Sequence, residues 1–119
     1  FDRILCEFQG IQWKFADMRV QIDAGRLLLY RAAINGDRGL PSIEDTTIAK
    51  AFCNKVGFDL SNEAMQIMGG IGYSEETLVE YCFRKTRGWQ IAGGSSEMMK
   101  NRIAEIVFER RFPQRPLKK

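Results

Sequence analysis

Apolar residues recur at helical spacing along most of this chain, and glycine or proline punctuates the runs. In residues 7–35, Ile11, Phe15, Met18 and Ile22 follow one another at three- and four-residue steps, with Leu29 a further heptad on. Arg19, Asp23 and Arg26 flank that stripe. The segment from Gly36 to Pro41 ends it, because glycine permits a left-handed cap and proline cannot continue a helix. A second helix is predicted over 43–68, striped by Ile48, Phe52, Val56 and Leu60, with Ala49, Ala51 and Ala64 allowing close approach. Ser42 followed by Asp45 reads as an acidic capping box, and Glu44 suits the positive helix end. Gly69, Gly70 and Gly72 stop this helix. A third, shorter one is predicted over 75–87, with Ser74 as its N-cap. The fourth spans 95–111 and carries Met98, Arg102, Ile106 and Glu109 on one face and Met99, Ile103 and Val107 on another. Pro113 closes it.

No segment alternates with the period of a strand, and no hairpin dipeptide occurs. The expected fold is therefore all-α, an antiparallel four-helix bundle over residues 1–112 followed by a basic tail, 113–119. A chain of 119 residues is one domain, able to hide roughly two-thirds of its unfolded surface. A hydrophobic share of 45% and a charged share of 28% are ordinary for a globular protein.

Charge and composition narrow the chemistry. A net charge of +3 is too mild to argue for nucleic acid. The cations cluster only near the end, at Arg110, Arg111, Arg115, Lys118 and Lys119, which read as a solvated, frayed terminus. Three cysteines, Cys6, Cys53 and Cys82, are far apart and odd in number, so reduced thiols are expected. The chain has no histidine, which excludes a Ser-His-Asp triad, a Cys-His pair or a His-ligated metal within it. Acid–base work must fall to Asp, Glu, Lys or Tyr. Phe1 opens in mid-pattern and is not Met, so a piece of a longer polypeptide is expected.

Two glycine-rich stretches stand out. Gln66-Ile67-Met68-Gly69-Gly70-Ile71-Gly72-Tyr73 ends a helix on paired glycines, which let a backbone approach a ligand and bare amides to phosphate oxygens. No strand precedes it, so it is not a dinucleotide fingerprint, and a plain glycine cap explains it equally well. Gly93-Gly94-Ser95-Ser96-Glu97 leads into a helix and leaves free N–H groups at its start, a site for an anion or a polarised carbonyl. Simple capping by Ser95 or Ser96, with Glu97 on a first-turn amide, accounts for the same residues.

Taken in order, these stretches resemble the flavin-dependent acyl-CoA dehydrogenases. Phe1 to Gln9 looks like the family's F-G-x-x-[IL]-x-x-x-Q segment, and Gln12 to Met18 like the continuation ending in A-[DE]-M. Gln66 to Tyr73 resembles Q-x-x-G-G-x-G-[YF]; Phe83-Arg84 and then Gly93 to Glu97 follow at the family's spacing. The resemblance covers essentially the whole chain and implies the C-terminal helical domain of such an enzyme. It implies FAD as cofactor, contacted by Phe1, Gln9, Gln66, Ile67, Met68, Gly69, Gly70, Ser95, Ser96 and Glu97, with Gly94 against the acyl thioester. It also implies an acyl-CoA substrate, a homotetramer whose subunits share flavin sites, an electron-transferring flavoprotein as acceptor, and a cytoplasmic or mitochondrial-matrix setting.

The chain departs from the family pattern at three places. Gly93 stands where many members carry the catalytic glutamate, so the expected base lies on the preceding helix, upstream of Phe1, as in long-chain-type members. Lys85 replaces the Asp that commonly follows the Arg, and Ala92 replaces a frequent Tyr. No metal is implied, and no catalytic residue is expected within the chain, which is therefore inactive alone. An acyl-CoA oxidase, a flavin monooxygenase on the same scaffold and a non-catalytic oligomerisation module remain open alternatives.

Overall fold

The computed structural model describes residues 2–36 and 39–113. After a 3₁₀ turn, Leu5–Glu7, the chain forms α1 (Gln9–Gly36), α2 (Ile43–Met68), α3 (Gly70–Tyr73), α4 (Leu78–Trp89) and α5 (Ser96–Val107). The described residues contain no strand, so the all-α expectation holds. All four expected helical segments are present; α3 is a single added turn. Of the expected basic tail only Pro113 is described, and residues 114–119 lie outside.

Local chemistry explains the boundaries. Ser42 accepts a hydrogen bond from the Asp45 amide at 3.2 Å and starts α2. Ser74, expected to cap the third helix, instead accepts from the Glu76 amide at 3.2 Å and closes a turn. Thr77 holds the N-cap position of α4, and its hydroxyl donates to the Gly72 and Ser74 carbonyls rather than capping. At the other end, α5 stops short of 111 in a Schellman motif. The Arg110 amide reaches the Glu105 carbonyl (3.0 Å), the Glu109 amide reaches Ile106 (3.1 Å), and Glu109 takes a left-handed φ of 49°.

α2 is the hub: α1, α3, α4 and α5 each pack on it, and among the described residues α1 meets neither α4 nor α5. The α1–α2 pair is antiparallel. Lys14 pairs with Glu63 near one end, and Arg31 pairs with Asp45 at 2.7 Å near the other. Between them Gly25 lets α1 approach Phe52 and Cys53 of α2. On the opposite flank, Phe58 of α2 meets the Phe83 ring of α4 at 5.1 Å, and Gly57 faces Thr86.

The face that α1 turns to α2 runs Ile11, Lys14, Met18, Gln21, Gly25, Leu28 and Ala32, alternating steps of three and four. The stripe legible in the sequence shares Ile11 and Met18 with that face, but Phe15, Ile22 and Leu29 lie along its exposed edge. Trp13, Val20, Leu27 and Ile34 form a second apolar row at heptad spacing on the opposite side, each more than 60% exposed. A helix apolar on opposite faces has a partner for only one of them here. The radius of gyration is 18.3 Å, against about 13–14 Å for a closed domain of this length. Among the described residues no large side chain is fully buried, and the buried apolar residues are Ala32 and Ala49. No described helix is long and apolar enough to cross a membrane.

Candidate functional site

The loop from Gln90 to Ser95 joins α4 to α5. Gly93 and Gly94 both have positive φ, +63° and +98°, a conformation that L side chains rarely adopt. A Cβ on Gly94 would also lie 2.7 Å from the Met99 methyl. Ser95 then caps α5 by accepting from the Met98 amide at 3.4 Å. The Ser96 amide closes the loop on the Gln90 carbonyl at 3.0 Å.

Two residues of α2, one turn apart, fasten this loop from behind. Asn54 donates to the Trp89 carbonyl at 2.8 Å, and the Gln90 side-chain amide returns a bond to the Asn54 carbonyl at 3.3 Å. Lys50 Nζ donates to the carbonyls of Ala92, at 3.1 Å, and Gly93. A Cβ at position 93 would stand 3.1 Å from that same nitrogen. Neither Lys50 nor Asn54 was singled out from the sequence. On a helix wheel they are polar residues beside a small-residue stripe, and only the distant chain of the loop gives them a task.

Beside the loop, between α2 and the α4–α5 segment, lies an open groove of about 540 Å³, lined by Ala51, Lys55, Phe58, Asp59, Arg87, Ser95, Ser96, Glu97 and Lys100, among others. Lys55 is taken up by Asp59. Arg87 donates to the Gln90 side chain at 3.3 Å. The Glu97 carboxyl is held below the ordinary carboxylate range chiefly by its own backbone amide, then by the Ser95 hydroxyl, with Lys100 and Arg87 adding attraction. The groove thus offers hydroxyls, amides and cations to a polar, anionic ligand.

The other predicted residues sit elsewhere. Gln66, Gly69 and Gly70 line a separate groove of about 300 Å³ with Asn62, Met65 and Tyr73. Ile67 is half-buried and Met68 is exposed beside it. Gly69 caps α2 with φ +65°. Lys50 and Gln66 are about 24 Å apart along the α2 axis, so the two glycine stretches do not share one pocket in one chain. The register that pairs Lys14 with Glu63 carries Gln9 to the same end as Gln66–Gly70. Phe1 lies outside the described residues. No group of three or more Cys, Asp or Glu suited to a metal occurs among the described residues. Lys85 packs its ammonium over the Tyr81 ring at 5.5 Å, while Arg84 pairs with Glu80 at 2.8 Å.

A family profile described as the acyl-CoA dehydrogenase C-terminal domain matches residues 1–108. The chain belongs to the acyl-CoA dehydrogenase family. It is similar to the short-chain-specific acyl-CoA dehydrogenase of Megasphaera elsdenii, 43% identical over 82% of this chain and 26% of that protein. It is also similar to a 3-sulfinopropanoyl-CoA desulfinase of Advenella mimigardefordensis, 37% identical over 96% of this chain and 28% of that one. The solved butyryl-CoA dehydrogenase of Megasphaera elsdenii superposes with a TM-score of 0.86 at 39% identity, covering 91% of this chain and 28% of that chain. This acyl-CoA dehydrogenase domain therefore spans less than a third of the relatives it matches. Its exposed apolar rows are larger than a monomeric globular protein ordinarily shows.

Proposed function

We propose that the whole protein carrying this domain is an FAD-dependent oxidoreductase that removes hydrogen from the α and β carbons of an acyl-CoA thioester. The observation that carries this reading is the Gly93–Gly94 loop. It is held open at positive φ beside a groove rich in hydrogen-bond donors, in a domain of this family. Arg87 and Lys100 give the groove two cations that fit a polar, anionic cofactor. When bound, FAD would supply the redox chemistry by accepting the β-hydrogen as hydride. The chain's own part is to bind, orient and exclude water. Ser95, Ser96 and Glu97 would hold the cofactor's polar edge, and the Gly94 backbone would meet the thioester.

Gln9 and Gln66 to Gly70, at the far end of the α1–α2 hairpin, would serve the flavin of a neighbouring copy in a homotetramer. The separation of about 24 Å from Lys50 to Gln66 supports this division. The exposed Trp13–Ile34 row would be covered in that assembly. The bundle would occupy residues 1–112, with 113–119 as a basic tail. Gly93 has no side chain to take the α-proton, so the base would come from the helix preceding this chain. An electron-transferring flavoprotein would reoxidise the enzyme, in the cytoplasm of a prokaryote or the mitochondrial matrix. The test is product analysis of the complete, flavin-loaded polypeptide with an artificial electron acceptor. An α,β-unsaturated thioester supports the proposal, and recovery of unchanged substrate for every acyl chain tried refutes it.

A second reading is favoured by a specific pairing: Gly93 at the usual base position, and a desulfinase among the relatives matched over nearly the whole chain. In that case the substrate would be an acyl-CoA bearing a sulfinate on its acyl chain, cleaved at the C–S bond. Sulfite release without an electron acceptor would select this reading over dehydrogenation.

A further inference from the structure

We propose that Lys50 is a positioning residue that aims the Gly93 backbone amide at the thioester. The proposal rests on the reading that the Gly93–Gly94 loop faces an acyl-CoA. Its physical basis is independent of that reading.

Lys50 reaches from α2 to the carbonyls of two consecutive residues, Ala92 and Gly93. The peptide bonds of the described chain are all trans. In a trans peptide the N–H of one residue points opposite to the carbonyl of the residue before it. Drawing the Ala92 carbonyl toward Lys50 therefore turns the Gly93 N–H away from α2. Among the described residues the Gly93 amide donates to no protein acceptor, whereas the turn at Gly93 directs the Gly94 amide back toward the carbonyls that precede it. The ammonium thus leaves the Gly93 N–H as an unsatisfied donor on the side of the loop away from α2.

This arrangement needs a cation of this shape at this place. Two carbonyl oxygens at one nitrogen require a donor with several hydrogens, which an ammonium supplies. Ala49 beside it is buried, so the stem of Lys50 leaves a packed part of α2. The loop carries glycine at both positions, and the space a Cβ at 93 would need is already taken to within 3.1 Å by Lys50 Nζ. Asn54 and Gln90 fix the start of the loop, so Lys50 is left to set the orientation of its last two peptides. A preorganised amide stabilises negative charge on a thioester oxygen as it develops. Loss of the ammonium frees those peptides to rotate, without removing any group that touches substrate.

The experiment uses the complete flavin-loaded polypeptide as wild type, Lys50→Met and Lys50→Arg. The probe is a saturated acyl-CoA isotope-labelled at the thioester carbon, read by infrared difference spectroscopy. The wild type should shift the bound carbonyl stretch to lower frequency, as hydrogen bonding polarises it. Lys50→Met should lose most of that shift and lower kcat/KM by about 10- to 100-fold, short of the full effect of deleting a donor. Lys50→Arg, which keeps a charge and several donors and should fold even if the Met variant does not, should retain part of the shift. An unchanged shift in Lys50→Met overturns the role of Lys50 while leaving the functional reading intact. If Lys50→Met does not fold, a Lys50→Arg shift identical to wild type overturns it, because a planar fork cannot reproduce the ammonium geometry at both carbonyls. Absence of any shift in the wild type overturns the functional reading, and the proposal with it.

Discussion

Gly57 of α2 faces Thr86 of α4 closely, and this contact yields a prediction whose sign rests on one methyl group. A Cβ built on Gly57 would stand 3.0 Å from Thr86 Cγ2 and 3.6 Å from Thr86 Cβ. Carbon atoms in good contact are about 3.5–4.0 Å apart, so the helices must separate by roughly half an ångström. Thr86 cannot simply rotate. It is β-branched, and its hydroxyl donates to the Cys82 carbonyl at 2.7 Å and to Phe83 at 3.1 Å. Separation would loosen the Phe58–Phe83 contact and the Asn54 bond to Trp89 that anchors the loop. Overpacking of this kind costs about 1–3 kcal/mol. Replacing a mid-helix glycine by alanine returns up to about 1 kcal/mol. Gly57→Ala should therefore destabilise the protein by about 1 kcal/mol. Thr86→Ser removes Cγ2 and keeps the hydroxyl, so in that background the same change should stabilise by about 0.5–1 kcal/mol. Chemical denaturation of the four proteins, followed by helical circular dichroism, gives the coupling energy. If Gly57→Ala stabilises in both backgrounds and the effects add to within about 0.5 kcal/mol, the packing described for α2 and α4 is wrong.

Glu109 occupies the left-handed position that closes α5, so Glu109→Gly should stabilise by about 1 kcal/mol; a lower melting temperature would contradict the Schellman assignment. Arg31 and Asp45 tie α1 to α2 through a carboxylate that is only 14% exposed, and their double-mutant cycle should show coupling near 1 kcal/mol, screened weakly by salt. The Glu105 carboxyl is held below its ordinary value of 4.5, first by Arg102 and then by the Phe112 amide. Its contribution to anchoring residues 108–112 is therefore full above about pH 4.5 and is lost as pH falls through the lower folded value. A carboxyl-carbon NMR titration should place the Glu105 midpoint below 4.5; a midpoint at or above it would remove the anchor from the account.

The parts legible in the sequence are those governed by local rules. The bounds of α2 followed from Ser42 at one end and paired glycines at the other, because capping and left-handed termination are decided within a few residues. The start of α4 did not follow. Ser74, Glu75 and Glu76 have the composition of a first helical turn, but Gly72 lies so close under α2 that a Cβ there would stand 3.0 Å from the Met65 carbonyl oxygen, and the chain makes a further turn before Leu78. The apolar rows of α1 could be counted but not assigned to faces. Ile11 and Met18 belong equally to the row ending at Leu29 and to the one ending at Ala32, and only the partner helix decides between them. The glycine loop was visible as a motif. Lys50 and Asn54, which hold it, lie about forty residues earlier, and no spacing rule links a lysine on one helix to carbonyls at the end of another.

The central proposal is that this domain would wall the flavin and thioester of an enzyme whose base would lie outside it. Its most direct test is anaerobic mixing of the complete, FAD-loaded polypeptide with saturated acyl-CoA thioesters of graded chain length, followed by flavin absorbance. The account predicts bleaching of the oxidised flavin band by at least one thioester, fastest where the acyl chain fits. A flavin spectrum unchanged by every acyl-CoA, in a protein that binds its cofactor fully, would contradict it.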